Sequence, residues 1–335
     1  MSISKCSVNS MFSQFSAGQI RSFLIATWCV VLAFQQEPIQ LFTQHAAFAL
    51  LGVMGAVFAN ATGAGGGVVF VPFFNQMGFS PVATVATSFA IQCFGMTAGA
   101  MTWWRFHVAQ SGDDVQTIEY FDETSGQLCG ESNTHDKRAT ETLHITQWQS
   151  LYPVLLLSIP ASIVGLLIAQ FNPNWFGVLA QGDKLHIGFG VFSILLAISM
   201  FLMVTMAGRS TLKLRLRPLD SILLPIICIC GGVITAYLSI GVGELVAVYL
   251  IMRGFNVTFS IACAVILSAV TVWSGVVHHV LMTHAIYWPV VLFAGPGAVV
   301  GGILAKRLVL HFSPTHLKLF FASWILVLGV SGLVF

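Results

Sequence analysis

Two glycine clusters carry the chemistry most legible in this chain. Gly63-Ala64-Gly65-Gly66-Gly67 heads one short apolar run, and Gly241-Val242-Gly243-Glu244 heads another. Consecutive glycines destabilise a helix by about 1 kcal/mol each, so a helix is expected to break at each cluster. A break inside an apolar run leaves backbone N–H and C=O groups unpaired, which is tolerated only against a polar cavity or a ligand. The helix that resumes after the break presents free N–H groups and the positive end of its dipole. Without a Cβ in the way, an anion can approach that backbone closely.

Neutral polar side chains flank both breaks. Asn60, Thr62, Thr87, Ser88 and Gln92 lie near the first, and Ser239, Ser268 and Thr271 near the second. The expected substrate-binding set is Asn60, Thr62, Gly65, Gly66, Gly67, Ser88, Gln92, Ser239, Gly241, Gly243 and Ser268. Such donors suit an oxyanion that must bind and leave. For any single Ser or Thr, a hydrogen bond to its own helix backbone is the commoner fate. Helix packing through small residues is the competing use of glycine, and it suits Gly95 and Gly99.

Glu244 is the one acid inside the glycine motifs. An ionisable group in a membrane-embedded motif is a functional candidate by default. It has two readings: proton coupling or anion pairing, and a salt bridge to Arg253 or a helix cap. Arg253 could grip an oxyanion through two hydrogen bonds, or anchor in lipid headgroups, which its position favours. His278 and His279 are adjacent and point to different faces, so they make poor joint metal ligands. Cys228 and Cys230, and Cys93 beside Gln92, read as buried thiols before reactive ones. Trp103, Trp104 and Trp148 read as interface belts. No catalytic residue, metal site or cofactor is expected.

The elements that hold these motifs follow from composition. The 335 residues are 56% hydrophobic and only 8% charged, against roughly 25% charge in soluble domains. Mean hydropathy is +0.87. So few charges cannot cover a soluble surface, so the chain is an all-α polytopic membrane protein with the bilayer as its partner. A net charge of +2 gives no reason to expect nucleic acid. Apolar spans are expected at 20–36, 45–61, 81–104, 148–170, 185–207, 219–238, 257–283, 285–305 and 315–335. Two pieces, 66–78 and 242–253, are too short to cross, and each follows a glycine cluster. Eight of the twelve acids fall between Arg105 and Trp148, in what reads as one polar loop, 105–147. The first span reads as an uncleaved leading helix.

The chain also repeats itself. In one register Gly65 falls on Gly241, Gly67 on Gly243, Gly78 on Gly254, Phe79 on Phe255, Gly55 on Gly231 and Gly99 on Gly275. Further on, Ser158-Ile159-Pro160 to Gly165 matches Ala294-Gly295-Pro296 to Gly301, at an offset shorter by about the length of the acidic loop. Four parts result: a leading segment 1–44, a first repeat 45–207 with the insertion 105–147, a basic linker 208–218, and a second repeat 219–335. Arg209, Lys213, Arg215 and Arg217 mark the linker as cytoplasmic, while its counterpart before the first repeat has no Lys or Arg. Equivalent loops differing in positive charge imply inverted repeats. The count closes if 45–78 and 219–254 are re-entrant hairpins, with the insertion cytoplasmic and the C-terminus outside.

Gly63-Ala64-Gly65-Gly66-Gly67 with Pro72, Gly78 and Ala86-Thr87-Ser88 resembles the first repeat of the TauE/SafE sulfite exporter family. Gly241-Val242-Gly243 with Arg253-Gly254 and Ala262 is similar to its second. Gly295-Pro296-Gly297, Gly301-Gly302 and Ala305-Lys306-Arg307 resemble its ending. The resemblance spans about 45–335. It implies a secondary transporter of small sulfur-containing anions such as sulfite, thiosulfate or organosulfonates, often outward, in a bacterial inner membrane. A homo-oligomer is compatible with it. Glu244 stands where the family often has glycine, and the insertion is longer than usual. The competing classes are a membrane thiol relay working through the cysteines, and a non-transporting subunit docking a partner through 105–147. No Walker motif is present, so ATP is not consumed on this chain.

Overall fold

A computed structural model describes residues 26–35, 37–121, 150–172, 182–206, 216–311 and scattered positions between 316 and 330. The chain divides into two units, 1–46 and 47–335. The first contains a helical stretch at 26–33 and the short helix α1 (Pro38–His45), which opens on a proline and buries none of its residues.

The second unit is built from helices in an order that occurs twice. A helix α2 (Phe48–Thr62) breaks and resumes as the short α3 (Gly67–Gln76), followed by the long α4 (Pro81–Phe121), then α5 (Leu151–Phe171) and α6 (Gly182–Met206). The order restarts with α7 (Asp220–Leu238), a break, the short α8 (Val242–Met252), the long α9 (Val257–His278), and α10 (Trp288–His311). A π-helical turn, His279–Thr283, extends α9. Among the described residues, five helices are long and apolar enough to cross a membrane: Pro81–Val108, Leu151–Phe171, Asp220–Leu238, Val257–Thr283 and Trp288–His311. No strand occurs among the described residues.

Most expected spans fall on these helices within a few residues, and both short pieces after the glycine clusters are helical. The expected loop start at residue 105 is a difference, because α4 runs on to Phe121. The stretch 105–121 contains no proline and one glycine, Gly112, so nothing in it stops a helix that is already formed. The rest of the acidic segment, 122–149, and the basic positions 209–215 lie outside the described residues.

Burial separates centre from periphery. The membrane-spanning part of α4 and α9 are mostly buried, whereas α5 and α7 are mostly turned outward. Their outer faces carry Leu156, Ile222, Leu223 and Ile226, apolar and exposed. In water such a surface would be an aggregation liability; against acyl chains it is the favourable face.

Lipid gives apolar side chains no reason to cluster, so close backbone approach has to hold the bundle. α2 packs on α10, and α7 packs on α5. On α10, a Cβ added at Gly301 would run into the Val53 carbonyl; on α5, one at Gly165 would run into the Ile229 carbonyl. Gly301 and Gly165 are equivalent positions in the sequence repeat, and so are Val53 and Ile229. The same helix-on-helix contact is therefore made twice with corresponding residues. Trp103, expected in an interface belt, is instead fully buried, its indole N–H directed at the Asn60 carbonyl at 3.4 Å. It lies one position from half-exposed Trp104, and adjacent residues on a helix face different ways.

Candidate functional site

The two breaks meet in the interior of the second unit. α2 ends at Gly63, whose φ of +80° is the left-handed turn that glycine adopts freely. α7 ends at the equivalent Ser239, with φ of +60°. A side chain in that conformation costs about 1–2 kcal/mol, and such outliers cluster at functional sites. Each break packs against the other through backbone. A Cβ on Gly67 would meet the Ser239 carbonyl, and a Cβ on Gly243 would meet the Gly63 carbonyl. The relation is reciprocal in the repeat register, since Gly67 corresponds to Gly243 and Gly63 to Ser239.

Two side chains fasten the crossing. The Glu244 carboxylate accepts from the Gly65 N–H at 2.7 Å through one oxygen and from the Gly241 N–H at 2.7 Å through the other. Gly65 and Gly241 are themselves equivalent, so one carboxylate spans the matching N–H groups of both breaks. Glu244 is the third residue of α8, where a carboxylate meets the free N–H groups and positive dipole end of a helix start. Among the described residues it enters no ion pair, and only 3% of it is exposed. Gln92 of α4 is the second fastener. Its Oε1 accepts from the Gly66 N–H at 2.9 Å. Its Nε2 lies 2.7 Å from Ser239 Oγ, 3.0 Å from Ser88 Oγ and 3.2 Å from the Ser239 carbonyl, and its two hydrogens serve these acceptors. Ser239 Oγ donates in turn to Ser88 Oγ at 2.9 Å.

Ser268 differs from its neighbours. Along α9, Ser260, Thr271 and Ser274 each donate to a backbone carbonyl four residues earlier, the usual fate of a helical hydroxyl. Ser268 Oγ is buried without a hydrogen-bond partner among the described residues. It lies beside the first turn of α8, where a Cβ on Gly243 would collide with it. A buried hydroxyl left bare calls for an explanation, and an oxyanion held at the crossing would supply its acceptor.

The structure thus brings Gly65, Gly66, Gly67, Ser88, Gln92, Ser239, Gly241, Gly243, Glu244 and Ser268 together. Asn60 and Thr62 make other contacts. Thr62 Oγ1 donates to the Phe58 carbonyl at 2.9 Å and caps the Ala64 N–H at 3.1 Å. Asn60 Nδ2 donates to the carbonyls of Ala56 and Gly95, bracing α2 against α4. Its bare atom is Oδ1, an acceptor, which repels an oxyanion.

Arg253 also falls away from the crossing. At the end of α8 it grips Asp220 at the start of α7, with Nε to Oδ1 at 2.7 Å and Nη2 to Oδ2 at 2.8 Å. Tyr249 Oη and the Arg217 N–H donate to the same carboxylate. The guanidinium is thus taken up by Asp220 and not by Glu244, so the salt-bridge reading of Glu244 has no counterpart here. The hydrogen bond to Asp220 pushes the Arg253 guanidinium still higher from an already high value, so it stays a cation. Arg253 is 23% exposed and Asp220 only 2%. Arg253→Ala leaves Asp220 buried without its cation and is expected to lower stability by about 2 kcal/mol. Arg253→Lys keeps the charge but not the two-point grip, and should recover about half. Thermal unfolding in detergent, followed by loss of the monodisperse peak, reads both; unchanged midpoints would show the pair to be idle.

Thr235 and Asp220 were not singled out by sequence. Thr235 Oγ1 accepts from the Val242 N–H at 3.0 Å and so caps the start of α8 from the end of α7. It occupies the place of Ala59 in the repeat register, and that exchange of an alanine for a hydroxyl beside a break was the available signal. The described cysteines, Cys29, Cys93, Cys228, Cys230 and Cys263, are all free thiols.

An all-α bundle with a lipid-facing exterior, and two broken helices crossing in a buried interior lined by backbone N–H groups, defines a polytopic membrane protein of the transporter class. The family model described as Sulfite exporter TauE/SafE matches residues 139–332. The chain belongs to that family, which is one of membrane transporters and not of enzymes. Neither the curated proteins nor the solved structures contain a match to the chain.

Proposed function

We propose that the protein is a secondary transporter, in the outward direction, of small sulfur-containing anions such as sulfite, thiosulfate or organosulfonates, in a bacterial inner membrane. The observation that carries this reading is the pairing of the Gly65 and Gly241 N–H groups on a single carboxylate at a buried crossing. Groups that hold one oxyanion without a cation can hold another. The substrate would sit between the starts of α3 and α8, with Ser268 as a further donor and Gln92 and Ser239 bracing the walls. Alternating access would come from the two halves, 45–207 and 219–335, rocking about the crossing as inverted repeats. The reciprocal contacts at Gly67 and Gly243, and again at Gly165 and Gly301, favour that symmetry. In the same reading the insertion 105–147 and the linker 208–218 are cytoplasmic and the C-terminus lies outside.

Flux in proteoliposomes across a panel of sulfite, thiosulfate, sulfoacetate, taurine and acetate is the test. We expect saturable flux of at least one sulfur anion above protein-free vesicles. Flux of acetate alone would remove sulfur from the substrate class, and flux of none would remove the transport reading.

A further inference from the structure

We propose that the Glu244 carboxylate is a resident competitor of the substrate: it fills the anion site in the empty protein and has to be displaced before an external oxyanion can bind. This rests on the transport reading above and specifies how its site is occupied.

Three observations carry it. First, one carboxylate oxygen takes the Gly65 N–H of the first break and the other takes the Gly241 N–H of the second, both at 2.7 Å. A residue serving only as a helix cap would satisfy N–H groups of its own helix start, as the bond to Gly241 does. The bond to Gly65, from the opposite break, is what a bridging bidentate ligand makes. Second, no cation among the described residues pairs with the carboxylate. Its hydrogen bonds are to backbone, so its surroundings are those of an anion held by amides and helix ends, not of an ion-paired acid. Third, the hydroxyl of Ser268 stands bare beside Gly243 with nothing to donate to. The side chain of Glu244 uses two donors; a sulfonate or sulfite, with a third oxygen, has an acceptor to spare for a third.

Two anions cannot share the same pair of N–H groups. The ligand class that can replace the carboxylate is an oxyanion with at least two terminal oxygens on one atom: sulfonate, sulfite or carboxylate. A spherical halide satisfies this geometry poorly.

The experiment is equilibrium binding of methanesulfonate, acetate and chloride to the full-length protein in detergent, by calorimetry. Wild type is compared with Glu244→Ala and with Glu244→Gln, which keeps the side-chain length and guards against collapse of the site. Removing a charged hydrogen-bonded occupant should tighten methanesulfonate by at least about ten-fold in either variant. Acetate, as a free copy of the missing carboxylate, should bind Glu244→Ala measurably and wild type much more weakly, with chloride little changed. If wild type binds methanesulfonate and neither variant binds it or acetate more tightly, Glu244 is a cap and the proposal is overturned while the anion site stands. If no oxyanion binds wild type or either variant, the anion site itself fails, and the proposal with it.

Discussion

Gly243→Leu is expected to reduce anion flux in proteoliposomes below about a tenth of wild type, and Gly67→Leu to do the same. The cause is the reciprocal crossing. A Cβ at Gly243 is driven into the Gly63 carbonyl and Ser268 Oγ, and a Cβ at Gly67 into the Ser239 carbonyl and Ile240. Overpacking of a dense interior costs about 1–3 kcal/mol where side chains can yield. Here the obstructing atoms are mainly backbone, so the breaks must separate. Separation draws the Gly65 and Gly241 N–H groups apart, and no single oxyanion then reaches both. Gly78→Ala is the control. It also has a positive φ, of +78°, but nothing lies within 4 Å of its added Cβ. It should suffer backbone strain of about 1–2 kcal/mol and keep its flux. Wild-type rates in both leucine variants, at equal reconstituted amounts, would remove the crossing from the transport path.

The second large effect concerns assembly. Gly165→Leu and Gly301→Leu should each destabilise the fold by about 3 kcal/mol, at the upper end for overpacking. At both positions the new side chain pushes on a backbone carbonyl of the facing helix, Ile229 in one case and Val53 in the other. Because the two contacts correspond in the repeat, the two losses should be similar. In a membrane, helix association depends on such close approach, with little hydrophobic drive to offset its loss. Thermal stability in detergent reads the effect. Leu156→Ala, on a lipid-facing surface that is 77% exposed, should change it by only a few tenths of a kcal/mol. Equal stability of Gly301→Leu and wild type would show that α2 and α10 are held by something other than this contact.

Much of the fold was legible because the bilayer constrains it so strongly. Long apolar runs had to become helices, and the glycine clusters had to interrupt them. What escaped was of two kinds. The extension of α4 through Phe121 escaped because polarity marks where a helix leaves the membrane, not where it ends. The Asp220–Arg253 grip escaped because its partners lie 33 residues apart on different helices. Of the site, the glycines, Gln92, Ser239 and Ser268 could be named from spacing alone. Glu244 was conspicuous as an acid in an apolar motif, yet its partner across the crossing, Gly65, is 179 residues away. Asn60 and Thr62 show what sequence proximity leaves open: Thr62 caps the Ala64 N–H within the break, while Asn60 turns to brace α2 against α4.

The two fasteners at the crossing differ in kind, and this makes the pivot unsymmetrical even though its backbone is not. Gln92 carries no charge, and its grip on Ser239 is indifferent to the ionic state of whatever arrives. Glu244 carries its clasp in a group whose hold on Gly65 answers to charge. If the breaks separate during transport, as proposed above, both must let go, and an approaching anion would act directly on one of them. On the reading proposed above, the molecule would have the form of a hinge with one passive latch and one trigger, with a duplicated frame and the trigger supplied by a single half.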